Sequence, residues 1–194
     1  MIKAIIFDCF GVIYPDTLTI VQRIYLKNDI AKQQKIREVR KVCDRGEISR
    51  DDFWDEVARI FNIPRAELDI ELDKVRGADW ELLDYIKDLK KNYKTAILSN
   101  VGAGFIERMF DHDRKQQDYF DVLAVSGEIG TLKPDPRAYL YTANKLGVET
   151  SACIFIDDKK RMVEGAEQVG MKGIMYTSFD DFKNNLEELL SKNG

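Results

Sequence analysis

The sequence predicts an α/β fold: a parallel five-stranded sheet within a three-layer core, plus a helical segment inserted after the first strand. Three observations carry that expectation. From residue 77 onward, short apolar runs bounded by turn signals alternate with amphipathic stretches, as in a parallel sheet with crossover helices. The first run, Ile2 to Val12, is apolar until it meets Asp8, the pattern of a buried strand that carries an acid to its C-terminal edge. Between them, from about residue 17 to 76, only helical spacing appears. The expected division is therefore 1–15 with 77–194 as the core and 16–76 as the helical insertion.

Each element has its own signal. Gly11 lets the backbone pass close to whatever Asp8 faces, and Tyr14-Pro15-Asp16 is a turn. In the insertion, Leu18, Val21, Ile24 and Tyr25 fall at helical spacing, as do Ile36, Val39 and Cys43. Ser49, with Asp52 three residues on, reads as a capping box before Phe53, Val57 and Ile60. Pro64 suits the first turn of a helix carrying Leu68 and Leu72. Gly77-Ala78-Asp79 then reads as hinge and cap before an amphipathic helix (Trp80, Leu83, Ile86, Leu89).

Lys94 to Asn100 is the second strand, and Gly102 and Gly104 make a turn into a short helix near Phe105 to Phe110. Phe120 to Ser126 is the third strand. Asp135 and Pro136 take the N-cap and first position of a helix stopping near Gly147. Ala152 to Ile156 is the fourth strand, running into Asp157-Asp158. Gly165, Ala166 and Gly170 belong in or just beyond the next helix, and Ile174 to Tyr176 is a short fifth strand. Ser178 opens the last helix, with Phe182, Leu186, Leu189 and Leu190 on its apolar face.

Composition narrows the function classes. A formal net charge of −4 gives no electrostatic reason to expect nucleic acid as a partner. No apolar stretch approaches the ~20 residues that span a bilayer, and the N-terminus enters the first strand without a secretory signal pattern. The three cysteines, Cys9, Cys43 and Cys153, lie far apart without metal-ligand spacing, so a reducing cytoplasm is expected. His112 sits among Asp111, Asp113, Arg114 and Lys115, a solvated loop by composition, and Gly102 and Gly104 fit no nucleotide fingerprint. The sequence gives no sign of an oligomeric state.

Four polar groups stand at corresponding places: Asp8 after strand one, Ser99-Asn100 after strand two, Lys133-Pro134 shortly after strand three, and Asp157-Asp158 after strand four. In an open parallel sheet such positions converge on one crevice. In kind, order and placement the set resembles the haloacid dehalogenase superfamily, and the resemblance covers the whole chain. It implies a Rossmann-like core with a helical cap of the first type, between the first and second motifs. It further implies a Mg²⁺-dependent phosphatase acting on a small-molecule phosphomonoester. Asp8 would be the nucleophile, Ser99 and Asn100 would bind phosphoryl oxygens, and Lys133 would neutralise Asp8 and the transferring group. Asp8, the Phe10 carbonyl, Asp157 and Asp158 would hold the metal. The Asp44-Arg45-Gly46-Glu47 turn, by its family position, makes Arg45 the candidate reader of substrate.

Position 10 departs from the family pattern. Its phosphatases usually carry a second Asp there, which protonates the leaving oxygen and later activates water; here the residue is Phe10. General acid–base catalysis of this kind is worth ~10²–10⁴-fold. The first expectation is thus a slow or selective phosphatase for good leaving groups such as sugar 1-phosphates, and subgroups similar to α-glucose-1-phosphatases also lack the acid. The alternatives are a 2-haloacid dehalogenase, which needs no metal, and a binding or regulatory domain that kept the pocket without the chemistry.

Overall fold

The computed structural model describes residues 1–106, 110 and 115–192. Its centre is β1 (Ala4–Phe7), flanked by β2 (Lys94–Ser99) and β3 (Val122–Val125) on one side and β4 (Cys153–Asp157) and β5 (Lys172–Met175) on the other. The order is β3-β2-β1-β4-β5, with every pair parallel. This is the α/β fold the alternating pattern predicts.

The strands are apolar on both faces because both are covered. Ile5, Phe7, Ile97, Ile154 and Ile156 face α5 (Trp80–Leu89) and α9 (Phe179–Ser191), packing with Leu82, Ile86, Phe182 and Leu186. Ala4, Ile6, Ala96, Leu98 and Phe155 face α7 (Pro136–Leu146) and α8 (Lys160–Gln168), against Tyr139, Ala143 and Ala166. A side chain at Gly165 would collide with Pro134 and the Tyr139 hydroxyl, so glycine there lets α8 close on the loop before α7.

Between β1 and α5 the chain makes α1 (Thr17–Tyr25), α2 (Ile30–Asp44), α3 (Arg50–Phe61) and α4 (Arg65–Lys74). These bury a separate apolar cluster that includes Val21, Ile36, Phe53, Val57 and Leu68. Asp16, Asp29 and Ser49 cap the first three helices, and the Ser49 hydroxyl accepts the Asp52 N–H at 3.1 Å and donates to the Asp52 carboxylate at 2.6 Å. The excursion closes where it began: the Asp79 N–H donates to the Ile13 carbonyl at 2.8 Å, and the Asp79 carboxylate caps α5.

Some boundaries differ from the sequence reading. Pro64 is the N-cap of α4 and not within its first turn, and Ile24 is exposed. β3 stops at Val125, because Ser126 opens a four-residue helix, α6 (Ser126–Ile129). Its hydroxyl accepts the Val101 N–H at 2.9 Å and donates to the Asp44 carbonyl at 2.6 Å, joining three loops where the strand was expected to continue. Residues 103–106 form a turn, and His112 and residues 107–109 of the short helix expected near 105–110 lie outside the described residues. All three cysteines are buried and free. No helix among the described residues is long and apolar enough to cross a membrane.

Candidate active site

The sheet's topology fixes where a site can form. After β1 the sheet grows toward β2 and β3, then the chain returns to place β4 on β1's other side, leaving a crevice at the strands' C-terminal ends. Phe7 pairs with Ile156, and the Asp8 N–H donates to the Ile156 carbonyl at 2.8 Å. Asp8 and Asp157 therefore leave adjacent strands side by side, Asp8 almost buried and Asp157 wholly so. Two carboxylates in so little water need compensation.

Lys133 supplies it. Its ammonium lies 2.9 Å from Asp8 Oδ1 and 2.7 Å from Asp157 Oδ2, and its side chain is 2% exposed. Burial pulls the Lys133 pKa down, but the two carboxylates outweigh that and hold it above its ordinary value. Burial pushes Asp157 up to about 6; Lys133 opposes that rise and Asp8 adds to it. The lysine is aimed by Asn100, whose side-chain oxygen accepts the Lys133 N–H at 2.7 Å while its amide donates to the Lys133 carbonyl at 2.9 Å. That clamp spans 33 residues of sequence, and nothing in the local pattern around either residue announces it.

Asp8 Oδ1 also accepts the Cys9 N–H at 2.7 Å, whereas Oδ2 receives no hydrogen bond among the described residues. Ser99 ends β2 one strand over and is buried. Asp158 completes the group: one oxygen each from Asp8, Asp157 and Asp158 lie within 4.8 Å of one another. Asp158 Oδ1 is buried and accepts no hydrogen bond, its cation neighbour being Lys159 Nζ at 3.4 Å. A buried carboxylate oxygen left so, in a set of hard oxygen donors, fits a divalent cation such as Mg²⁺. Gly11 makes room for it. With φ at +93° and a would-be Cβ only 2.4 Å from Asp158 Oδ2, no other residue fits there without displacing the carboxylate.

Above these groups lies a cavity of about 290 Å³ between the sheet edge and α1–α4. Phe10 and Asn100 form its wall nearest the carboxylates; Asp8, two residues behind Phe10, does not itself line it. Phe10 stacks edge-on against Phe105, with ring centres 5.6 Å apart. Tyr14, Phe53 and Trp54 extend the apolar lining, while Asp16, Arg40 and Asp44 give it a charged side. Arg40 is bound to Asp16, with Nη1 at 3.1 and 3.3 Å from the two carboxylate oxygens.

Asp8, Ser99, Asn100, Lys133, Asp157 and Asp158 thus meet at one edge. Arg45 does not join them. Its side chain is exposed, pairs with Glu47, and contributes nothing to the cavity wall. The charged residues that do face the cavity are Asp16, Arg40, Asp44, Arg50 and Arg76, of which the sequence reading marks only Asp44 for substrate, as part of the turn at Arg45. Arg40 and Asp44 look like the wet face of a helix until the helix is docked.

A model of haloacid dehalogenase-like hydrolases matches residues 2–170. The chain belongs to this family. Among similar proteins, a phosphatase of Mycobacterium tuberculosis is 37% identical over 86 residues, covering 44% of this chain and 40% of its own. A flavin mononucleotide hydrolase of Arabidopsis thaliana is 28% identical over 141 residues, 70% of this chain and 57% of its own. The matches thus span about half the length of these two relatives. The fold is shared with a family enzyme of Bacteroides thetaiotaomicron solved with magnesium and inorganic phosphate, at a TM-score of 0.72 and 20% identity, covering 92% of this chain and 96% of that one.

Proposed function

We propose that this haloacid dehalogenase-like hydrolase is a Mg²⁺-dependent phosphatase that cleaves a small-molecule phosphomonoester through an aspartyl-phosphate on Asp8. The carrying observation is the convergence of three carboxylates at one edge, two of them bonded to Lys133 and the third, Asp158, with a buried oxygen that accepts no hydrogen bond. The names of the relatives, a phosphatase and a flavin mononucleotide hydrolase, and the magnesium and phosphate in the B. thetaiotaomicron enzyme support the same reading. Residues 16–76 would act as a helical cap of the first type over a core formed by 1–15 and 77–194, their separate apolar cluster being consistent with that division. Three free cysteines suit a reducing cytoplasm.

In this reading Asp8, Asp157, the Phe10 carbonyl and Asp158 would hold Mg²⁺, which when bound supplies the positive charge that lets two anions approach. Asp8 Oδ2 attacks phosphorus while Oδ1 stays fixed by Cys9 N–H and Lys133. Ser99 and the backbone at Asn100 hold phosphoryl oxygens, and Lys133 stabilises charge on the transferring group. Water then cleaves the acyl-phosphate and restores Asp8. Phe10 cannot move a proton, so a sugar phosphate or another ester with a good leaving group is the expected substrate. Arg45 would read substrate only if the cap moves enough to bring it inward.

A 2-haloacid dehalogenase fits poorly, because Asp157 and Asp158 would repel a carboxylate substrate from Asp8. Phe10 favours one second reading, a phosphate-ligand binding domain without turnover. The test is a panel running from acyl and aryl to alkyl phosphates, with and without Mg²⁺. Mg²⁺-dependent release of phosphate that disappears in Asp8→Asn is expected. Metal-free halide release from 2-chloropropionate would establish the dehalogenase, and binding of inorganic phosphate with no turnover would establish the binding domain.

A further inference from the structure

Phe10 removes the usual proton donor from a cavity that contains another, half-buried carboxyl. Asp44 ends α2, its side chain 15% exposed, and lines the same cavity as Phe10 and Asn100. Its backbone is pinned to the core, the carbonyl accepting the Ser126 hydroxyl at 2.6 Å. Its carboxyl is not pinned: among the described residues it accepts no hydrogen bond, and Arg40 Nε stands 4.0 Å away with that guanidinium already committed to Asp16. The charged groups that act on it come from four elements, Arg40 on α2, Asp16 at the head of α1, Asp8 after β1 and Lys159 at the head of α8, and Arg50 at the head of α3 lines the same cavity. A half-buried acid whose oxygens accept no hydrogen bond among the described residues, in the chamber a leaving group would enter and within reach of the field of Asp8, is placed for proton transfer.

We propose, resting on the phosphatase reading, that Asp44 is the general acid and base that Phe10 cannot be. As Asp8 Oδ2 forms its bond to phosphorus, the bond from phosphorus to the leaving oxygen breaks and that oxygen takes the Asp44 proton. The Asp44 carboxylate then accepts a proton from the water that attacks the aspartyl-phosphate, releasing inorganic phosphate and restoring both residues. Burial, reinforced by Asp16 and Asp8 and opposed by Arg40 and Lys159, pushes the Asp44 carboxyl up to about 7, so the acid form is populated at neutral pH. The donor has been moved from the strand end to the helical side. Esters with poor leaving groups then come within the enzyme's range.

The test compares benzyl phosphate, whose alkoxide leaving group needs a proton, with 2,4-dinitrophenyl phosphate, whose phenolate does not. In the wild type, kcat/KM for benzyl phosphate should fall above about pH 7, while the dinitrophenyl ester stays flat. Asp44→Asn should lower the benzyl value ~10²–10³-fold and erase that limb, with less than a ~10-fold effect on the dinitrophenyl ester. Adding Phe10→Asp to Asp44→Asn should restore benzyl phosphate hydrolysis. A wild-type benzyl profile with no fall above neutrality overturns the proposal without any variant. So does an Asp44→Asn enzyme that keeps the limb, or one that loses both substrates equally. Asp8→Asn separates the two readings: if it leaves hydrolysis intact the phosphatase mechanism itself fails, whereas its loss beside an unaffected Asp44→Asn removes only the role of Asp44.

Discussion

The sheet edge and the helical wall above it are built from the same kinds of residue but held in opposite ways. At the edge, Asp8 and Asp157 are placed by strand register, and Lys133 is clamped by Asn100 and bonded to both. Lys133 and one oxygen each of Asp8 and Asp157 are thereby bonded at hydrogen-bond distance, while Asp8 Oδ2 and Asp158 Oδ1 are left for what the site binds. On the helical side, Asp16 and Arg40 form one close pair, and the Asp44 carboxyl, with Arg40 Nε 4.0 Å away, accepts no hydrogen bond among the described residues. A fixed edge suits groups that must meet phosphorus in one geometry, since a misplacement of 1 Å can cost ~10²-fold. A looser wall suits groups that must answer to whichever leaving group arrives. The difference locates shared chemistry on the strands and adaptation on the helices.

The comparison breaks most severely at Lys133. Lys133→Met removes the one cation that bonds both buried carboxylates, and losing one partner of a buried ion pair costs ~3–5 kcal/mol. Thermal melts should show that loss in the absence of metal. Mg²⁺ should recover part of it, because a cation bound only by the folded state stabilises it by mass action. Hydrolysis should fall by ~10³-fold or more, since charge on the transferring phosphoryl is no longer met. A variant as stable as the wild type without Mg²⁺ would mean that the edge is not held by this lysine.

The second test moves to the wall and uses pH. The Asp44 carboxyl sits at about 7 in the fold, burial being the main cause, against 3.8 as its ordinary value. A raised carboxyl pKa means that the folded state keeps its proton where the unfolded chain has released it. Its effect is therefore fully favourable below about pH 4 and is lost as pH rises through about 7. Asp44→Asn mimics the protonated form at every pH. Relative to the wild type it should gain stability between pH 4 and pH 8, by at most ~4 kcal/mol, and show no gain at pH 4. Denaturant unfolding at both pH values measures it, and an equal effect at the two would contradict a buried, unbonded acid.

These two regions were not equally legible beforehand. Asp8, Ser99 and Asp157 could be read because each stands at or beside a strand end, and period and turn signals find strand ends well, whereas Lys133 lies beyond α6 and is legible only as a member of the set. Asn100 was marked for phosphate, but its side chain is spent on a lysine 33 residues away, a tertiary pairing that no local pattern encodes. Asp44 was included only as the neighbour of Arg45. On α2 the two look alike as polar residues near a helix end, and which of them points inward depends on how α2 lies on the Ser126 loop. Strand register follows from the sequence over a few residues. Helix docking follows from the whole insertion.

Gly11 tests the seam between the regions. Gly11→Ala places a methyl where Asp158 stands, at a backbone angle alanine rarely adopts. Such strain costs of order 1–3 kcal/mol. The larger consequence should be on the cation, because Asp158 must swing away. Isothermal titration with Mg²⁺ should show weaker binding than the stability loss alone explains, while Phe10 and the wall remain. Unchanged Mg²⁺ affinity would take Asp158 out of the donor set.

The smallest expected effect is the most discriminating for the wall. Arg45 and Arg40 lie on successive turns of one segment, yet Arg45 is exposed and paired with Glu47, whereas Arg40 reaches the cavity. A pair held in water contributes little, because solvent screens it and two long side chains must be ordered to form it. Arg45→Ala should therefore leave kcat/KM for 2,4-dinitrophenyl phosphate within about twofold, the level expected of a surface change. Arg40→Gln should change it more, by freeing Asp16 and removing the cation beside Asp44. Were Arg45→Ala the more damaging of the two, the cap would have to close further over substrate than this arrangement does, carrying the turn at 44–47 inward and making Arg45 the reader of substrate.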